Sequence, residues 1–117
     1  DYCISLILFC KWKFFKPTGV DLNLQFPAGW EQARLLKFEQ GFTTPAPRDF
    51  VGFGPLTEPE ALAIYNFTLE HNFSLILSYH TQGEVIFWQF QNYKPQNSWF
   101  IGSTFAQISS YSLADTP

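Results

Sequence analysis

The spacing of apolar and polar positions changes several times along the chain, and each change marks an element. Residues 3–10 are almost continuously apolar, as expected of a strand covered on both faces. Lys11, Lys13 and Lys16 then interleave with Trp12, Phe14 and Phe15, the pattern of a strand end whose lysine stems cover aromatic rings. Pro17-Thr18-Gly19 is a turn signal. Residues 20–27 alternate apolar and polar and close on Pro27. They read either as a short strand or as a loop presenting Asp21, Asn23 and Gln25 on one side. Residues 28–56 are punctuated by Gly and Pro. They predict a long irregular excursion with a brief helical turn at 31–38, and excursions of this length are usually functional.

Thr57-Glu58-Pro59-Glu60 opens a helix. Thr57 suits the cap, Pro59 the first turn, and Glu60 completes a capping box. Leu62, Tyr65 and Leu69 recur on one face with Ala61 beside them, so the helix should reach about His71 and end at Asn72. The apolar run 73–79 closes on His80 and reads as an interior strand, and 84–90 as a second strand. A turn around Pro95 follows. Residues 97–111 read as a helix with Trp99, Phe100, Phe105 and Ile108 as its apolar stripe. Residues 113–117 read as a tail with neither cap nor polar taper, as if the sequence were interrupted there. The sum is an α/β class: a partial mixed β-sheet with flanking helices, in which the helix after Thr57 and the strand ending at His80 form an αβ unit.

Composition sharpens this picture. Aromatics reach 20% and charged residues only 15%, with 14 Phe and 4 Trp in 117 residues. So apolar a chain reads as one domain that is part of a larger one, whose other parts cover the surplus surface. The net charge of −3 leaves no electrostatic footprint for nucleic acid. Residues 4–10 are too short to span a bilayer and lack the flanks of a signal peptide. Cys3 and Cys10 read as buried thiols rather than a disulfide.

Chemistry concentrates at His80, where a strand ends and Thr81, Gln82 and Glu84 follow. Ligands in open α/β sheets sit beyond the carboxyl ends of strands. A lone histidine is most often a satisfied core residue; the functional alternatives are a metal ligand or a general base. His71, at a helix end, reads as structural. The chain has no His-x-x-Glu or His-x-x-x-His pair, no Gly-x-Ser-x-Gly elbow, and no phosphate-binding glycine loop at Gly52-Phe53-Gly54.

Three segments, in order and spacing, resemble the carboxypeptidase A-like zinc peptidases (M14). They are Gly19-Val20-Asp21-Leu22-Asn23 with Phe26-Pro27 beyond it, Thr57-Glu58-Pro59-Glu60 opening a helix, and Ser78-Tyr79-His80-Thr81-Gln82. Phe26-Pro27-Ala28-Gly29-Trp30-Glu31, Pro47-Arg48-Asp49-Phe50 and His80-Thr81-Gln82-Gly83-Glu84 with Trp88 look like the bacterial γ-D-glutamyl-meso-diaminopimelate peptidases, which cut cell-wall stem peptides.

The resemblance implies the middle portion of a zinc carboxypeptidase-like (phosphorylase/hydrolase-like) domain, residues 1–117 being one partial catalytic domain truncated at both ends. It implies zinc as cofactor with His80 as the third ligand. Asn23 would line the substrate pocket, Lys13 would lie near the polarised carbonyl, and Thr81, Gln82 and Glu84 would wall the cleft. The chemistry implied is metal-assisted peptide hydrolysis with a glutamate as proton acceptor. The family's His-x-x-Glu ligands lie upstream of the first motif and its glutamate downstream of the last helix, so the chain as given should be inactive. Leu24 stands where many members carry an arginine for the substrate's terminal carboxylate, which leaves ordinary carboxypeptidase specificity unsupported. The implied partner is a peptide or cell-wall muropeptide, in a compartment left open between bacterial cytoplasm and cell wall. Two other readings stand beside it: a non-catalytic member binding peptide or glycan through Asn23, Gln82 and the aromatics, and an unrelated α/β domain with no site.

Overall fold

A computed structural model describes residues 19–79 and 83–115. These fall into two compact units, one holding residues 19–72 and the other residues 73–79 and 83–115.

The first unit is built on a 3₁₀ turn, Leu22–Leu24, and two helices, α1 (Trp30–Glu39) and α2 (Pro59–Glu70). The turn forms because the Asp21 carboxylate accepts the backbone N–H of Asn23 at 3.1 Å, which caps it. The alternating stretch is therefore neither a strand nor a one-sided loop. Asn23 is exposed, Asp21 half-buried, and Gln25 completely buried. The helical turn expected at 31–38 is a ten-residue helix. Glu31 in its first turn and Lys37 in its last both suit the helix dipole. The core holds Trp30, Phe50 and Val51 around the Gln25 amide, with Ala61 also buried.

α2 starts where the sequence places it but without the expected capping box. Its N-cap is Glu58, and no side chain of its own caps it. The Oε1 of Gln25 accepts the N–H groups of Thr57 at 2.8 Å and Glu58 at 3.1 Å, and the Thr57 hydroxyl donates to the same atom. A buried amide from a distant part of the chain thus holds the N–H groups of the N-cap residue and of the residue before it, at the entry to the helix. The expected apolar face also differs. Ala61 is buried and Tyr65 half-buried, whereas Leu62 and Leu69 are exposed. The helix ends within a residue of expectation, with His71 as its C-cap.

The second unit is a β–α–β succession: β1 (Val85–Phe87), α3 (Gln96–Ser109) and β2 (Ser112–Ala114). The two strands pair in parallel, Val85 with Ser112, Ile86 with Leu113 and Phe87 with Ala114. Parallel neighbours need a crossover, and α3 supplies it. The α/β class is met by this unit, and the named strands among the described residues are both parallel. The last two residues of β2, Leu113 and Ala114, fall in the tail read as an interruption, and the sequence pattern does not signal this strand.

Two further expectations are corrected here. Residues 73–79 hold a single bridge position at Ile76 and no run of strand, and the strand expected at 84–90 is three residues long. None of residues 73–79 is buried, and Leu75 and Tyr79 are exposed, so the apolar run does not mark an interior segment; a strand also requires a hydrogen-bonded neighbour in register. After β1 the chain turns through an antiparallel bridge between Phe90 and Tyr93, with Gln91 left-handed at φ +51°. This turn precedes Pro95, which is the N-cap of α3.

The face of α3 against the strands is also not the expected one. Ser98 and Gly102, one helical turn apart, are its buried residues, while Trp99, Phe100, Phe105 and Ile108 are exposed. A β-carbon at Gly102 would stand 3.1 Å from Leu113 Cδ1, 3.1 Å from Trp88 Cβ and 3.7 Å from Ile86 Cγ2. The helix lies so close to both strands that the contact face selects small residues over apolar ones. Among the described residues, no helix is long and apolar enough to cross a membrane.

Candidate functional site

Asn23 presents its side chain from the 3₁₀ turn of the first unit, and the chain on either side of it is tied down. On the N-terminal side, the second oxygen of Asp21 accepts the N–H of Asp49 at 2.9 Å, and the Asp21 N–H donates to the Phe50 carbonyl at 2.8 Å. Asp49 is itself left-handed, at φ +67°, and its carboxylate is held by Lys37 at 2.6 Å and Arg48 at 3.0 Å.

On the C-terminal side stands Gln25. Its Nε2 donates to the carbonyls of Val51 at 2.6 Å and Gly54 at 3.0 Å. Its own backbone carbonyl accepts the Leu56 N–H at 2.8 Å, and the Trp30 indole donates to the same Val51 oxygen at 3.2 Å. Both donors and the acceptor of this buried amide are therefore used, the condition under which burying it is tolerated. Gly52 makes room for it. A β-carbon there would lie 2.5 Å from Gln25 Nε2, and the φ of +87° disfavours a side chain in any case.

Glu84 belongs to the second unit and is exposed at the entrance to β1, with φ +44°. Its backbone carbonyl accepts the Ser112 N–H at 3.0 Å, fixing the start of the parallel pair. Lys13, His80, Thr81 and Gln82 lie outside the described residues, as do Cys3 and Cys10. Of the expected site residues, only Asn23 and Glu84 have a described position, each within its own unit.

Among the described residues, no three His, Cys, Asp or Glu side chains gather closely enough to hold a metal ion. By themselves, the described residues do not fit zinc. His71 stands exposed at the end of α2, where the sequence puts it: its Nδ1 lies 2.9 Å from the Phe67 carbonyl, and its ring tilts over that of Phe67 at 4.2 Å.

Two features have no clear signal in the sequence. One is Gln25, marked only as a polar residue between Leu24 and Phe26. The other is Asp115, whose carboxyl is held below its ordinary range, first by the hydrogen bond from Lys94. That ammonium's charge and hydrogen bonds from Trp88 and Gln89 add to the effect, against an opposing desolvation. Lys94 and the Trp88 indole each reach Asp115 at 3.0 Å.

A helix-crossed parallel pair and a polar turn braced by a loop define an α/β protein of the class the sequence implies. The chain belongs to the zinc carboxypeptidase family, which it matches over residues 11–112. This removes the reading of an unrelated α/β domain. The chain is 45% identical over 103 residues to γ-D-glutamyl-L-diamino acid endopeptidase 1 of Lysinibacillus sphaericus, covering 88% of this chain and 25% of that protein. It is 41% identical over 101 residues to an uncharacterized protein of Bacillus subtilis (strain 168), covering 86% of this chain and 26% of that one. The chain thus spans about a quarter of the length of these relatives. No solved structure gives a significant match.

Proposed function

We propose that this chain is part of the catalytic domain of a zinc-dependent peptidase that hydrolyses γ-D-glutamyl–diamino acid bonds in cell-wall stem peptides. The observation that carries this reading is the 45% identity, over 88% of the chain, to a protein named for that bond. In it, His80 serves as one zinc ligand. Asn23 lines the substrate pocket, Lys13 lies near the scissile carbonyl, and Thr81, Gln82 and Glu84 form a wall of the cleft. The exposure of Asn23 on a braced turn supports its part, since a group that binds substrate must be both open and held. The substrate is a muropeptide, and the 117 residues alone are inactive and hold zinc weakly.

The test uses the protein that contains this chain, a γ-D-glutamyl-diaminopimelate peptide, and an α-linked peptide of equal length. Cleavage of the γ-linked peptide should stop with a chelator and return with zinc. His80→Ala should lower it at least about 100-fold. Cleavage of the α-linked peptide alone would overturn the substrate class, and unchanged activity in His80→Ala would remove the ligand. Binding without hydrolysis would support a non-catalytic member instead. Tight stoichiometric zinc binding by the 117-residue chain would contradict its expected weakness.

A further inference from the structure

We infer that Gln25 is the positioning residue for Asn23, setting the pocket side chain through the loop at residues 50–58. The inference rests on the reading of Asn23 as a pocket residue. It concerns a different residue, which touches no substrate.

Three observations carry it. Gln25 is two positions from Asn23 and closes the same turn, its N–H donating to the Leu22 carbonyl at 3.2 Å. Asn23 is exposed on that turn while the Gln25 side chain is completely buried, so the two residues anchor and present opposite faces of one short segment. Gln25 also engages the facing loop at both ends, through Val51 and Gly54 on one side of its amide and Thr57 and Glu58 on the other. Asp21 holds the near end of the turn through the N–H groups of Asn23 and Asp49. A three-residue 3₁₀ turn has too few internal hydrogen bonds to fix its own direction. Here the direction is imposed from the two flanking residues, and only Gln25 does so from a water-free position. An amide suits this role because it offers two donors and an acceptor with no charge to desolvate.

The test is a double-mutant cycle in the protein that contains this chain, read as kcat and KM on the γ-D-glutamyl-diaminopimelate peptide. Asn23→Ala should raise KM about tenfold, the scale of one lost polar contact. Gln25→Leu should raise KM to a similar degree with kcat within about twofold, and should have almost no further effect on KM in the Asn23→Ala background. A residue that merely stabilises the fold would lower the active fraction, and with it apparent kcat, while KM stays unchanged; that result, or an equal KM rise in both backgrounds, overturns the inference. Should Gln25→Leu fail to fold, Thr57→Val takes its place. It removes the hydroxyl's bonds to Gln25 and the Gly54 carbonyl and its 3.5 Å contact with the Glu58 carboxylate, and keeps the Gln25 side chain. Its smaller KM rise, about twofold, should likewise vanish in the Asn23→Ala background, and an equal rise in both backgrounds overturns the inference. If Asn23→Ala leaves KM unchanged, the pocket role of Asn23 fails and the positioning role with it. If Asn23→Ala raises KM but the cycle is additive, only the positioning role fails.

Discussion

The Gln25 amide donates to the Val51 carbonyl across 2.6 Å, joining residues 26 apart in the chain. The same side chain holds the Thr57 and Glu58 N–H groups at the entry to α2. Replacing it with leucine deletes these bonds and leaves the Thr57 and Glu58 N–H groups without their acceptor. Gln25→Leu should cost about 2–4 kcal/mol. Urea unfolding measures this, and a cost below about 0.5 kcal/mol would mean that the loop holds itself.

Gly52 faces this amide. An alanine there meets Gln25 Nε2 at 2.5 Å and Val20 Cγ1 at 3.1 Å, on a backbone at φ +87°. Gly52→Ala should destabilise by about 2–3 kcal/mol. Part of that cost should disappear when Gln25 is shortened to alanine, and the part due to φ should remain. Thermal unfolding of the two single variants and the double variant separates the contributions; full additivity would exclude the clash.

On α3, size should matter on one face and hardly at all on the other. Gly102→Leu forces a side chain against Leu113 and Trp88 and should cost about 1–3 kcal/mol. Ile108 is 82% exposed, so Ile108→Ser should change stability by less than about 0.5 kcal/mol. Equal losses at both positions would show that the outer face is packed in solution.

The Asp115 carboxyl supplies the pH dependence. Its value in the folded protein lies below that of the unfolded chain, because Lys94 and Trp88 favour the ionised form. The stabilisation is therefore complete above the unfolded carboxyl's value and is lost as pH falls through the lowered folded one. The pair is exposed, so added salt should weaken it. Carboxyl chemical shifts followed through a pH titration should show the Asp115 midpoint rising in Lys94→Ala. An unmoved midpoint would remove Lys94 as the main cause.

Several elements are legible in the sequence because their signals are local. Pro59 suits only a first turn, so α2 begins where the sequence puts it. The helical spacing after Pro95 gives α3 to within about two residues. The faces are less legible. Large apolar residues mark the expected buried side of α3, but the closeness of the strands gives that side to Ser98 and Gly102. β2 goes unsignalled because Ser112, Leu113 and Ala114 have no strong strand character and pair only because α3 returns them beside β1. The proposed site is legible only as motifs around Asn23 and His80, and no pattern in the sequence indicates that Gln25 holds the turn that carries Asn23.

The sequence by itself determined the α/β class, the helix positions, the segment from Gly19 to Asn23 as a motif, and through the order of its motifs the zinc carboxypeptidase family. These follow from covalent and short-range preferences: proline geometry, helical periodicity and residue type at fixed spacing. The tertiary structure alone decided which face of each helix is buried, that residues 112–114 form a strand, and that a buried glutamine holds the entry to α2. Each of those depends on a partner distant in sequence, and hydrogen-bond acceptors and packing space are set by what folding brings alongside.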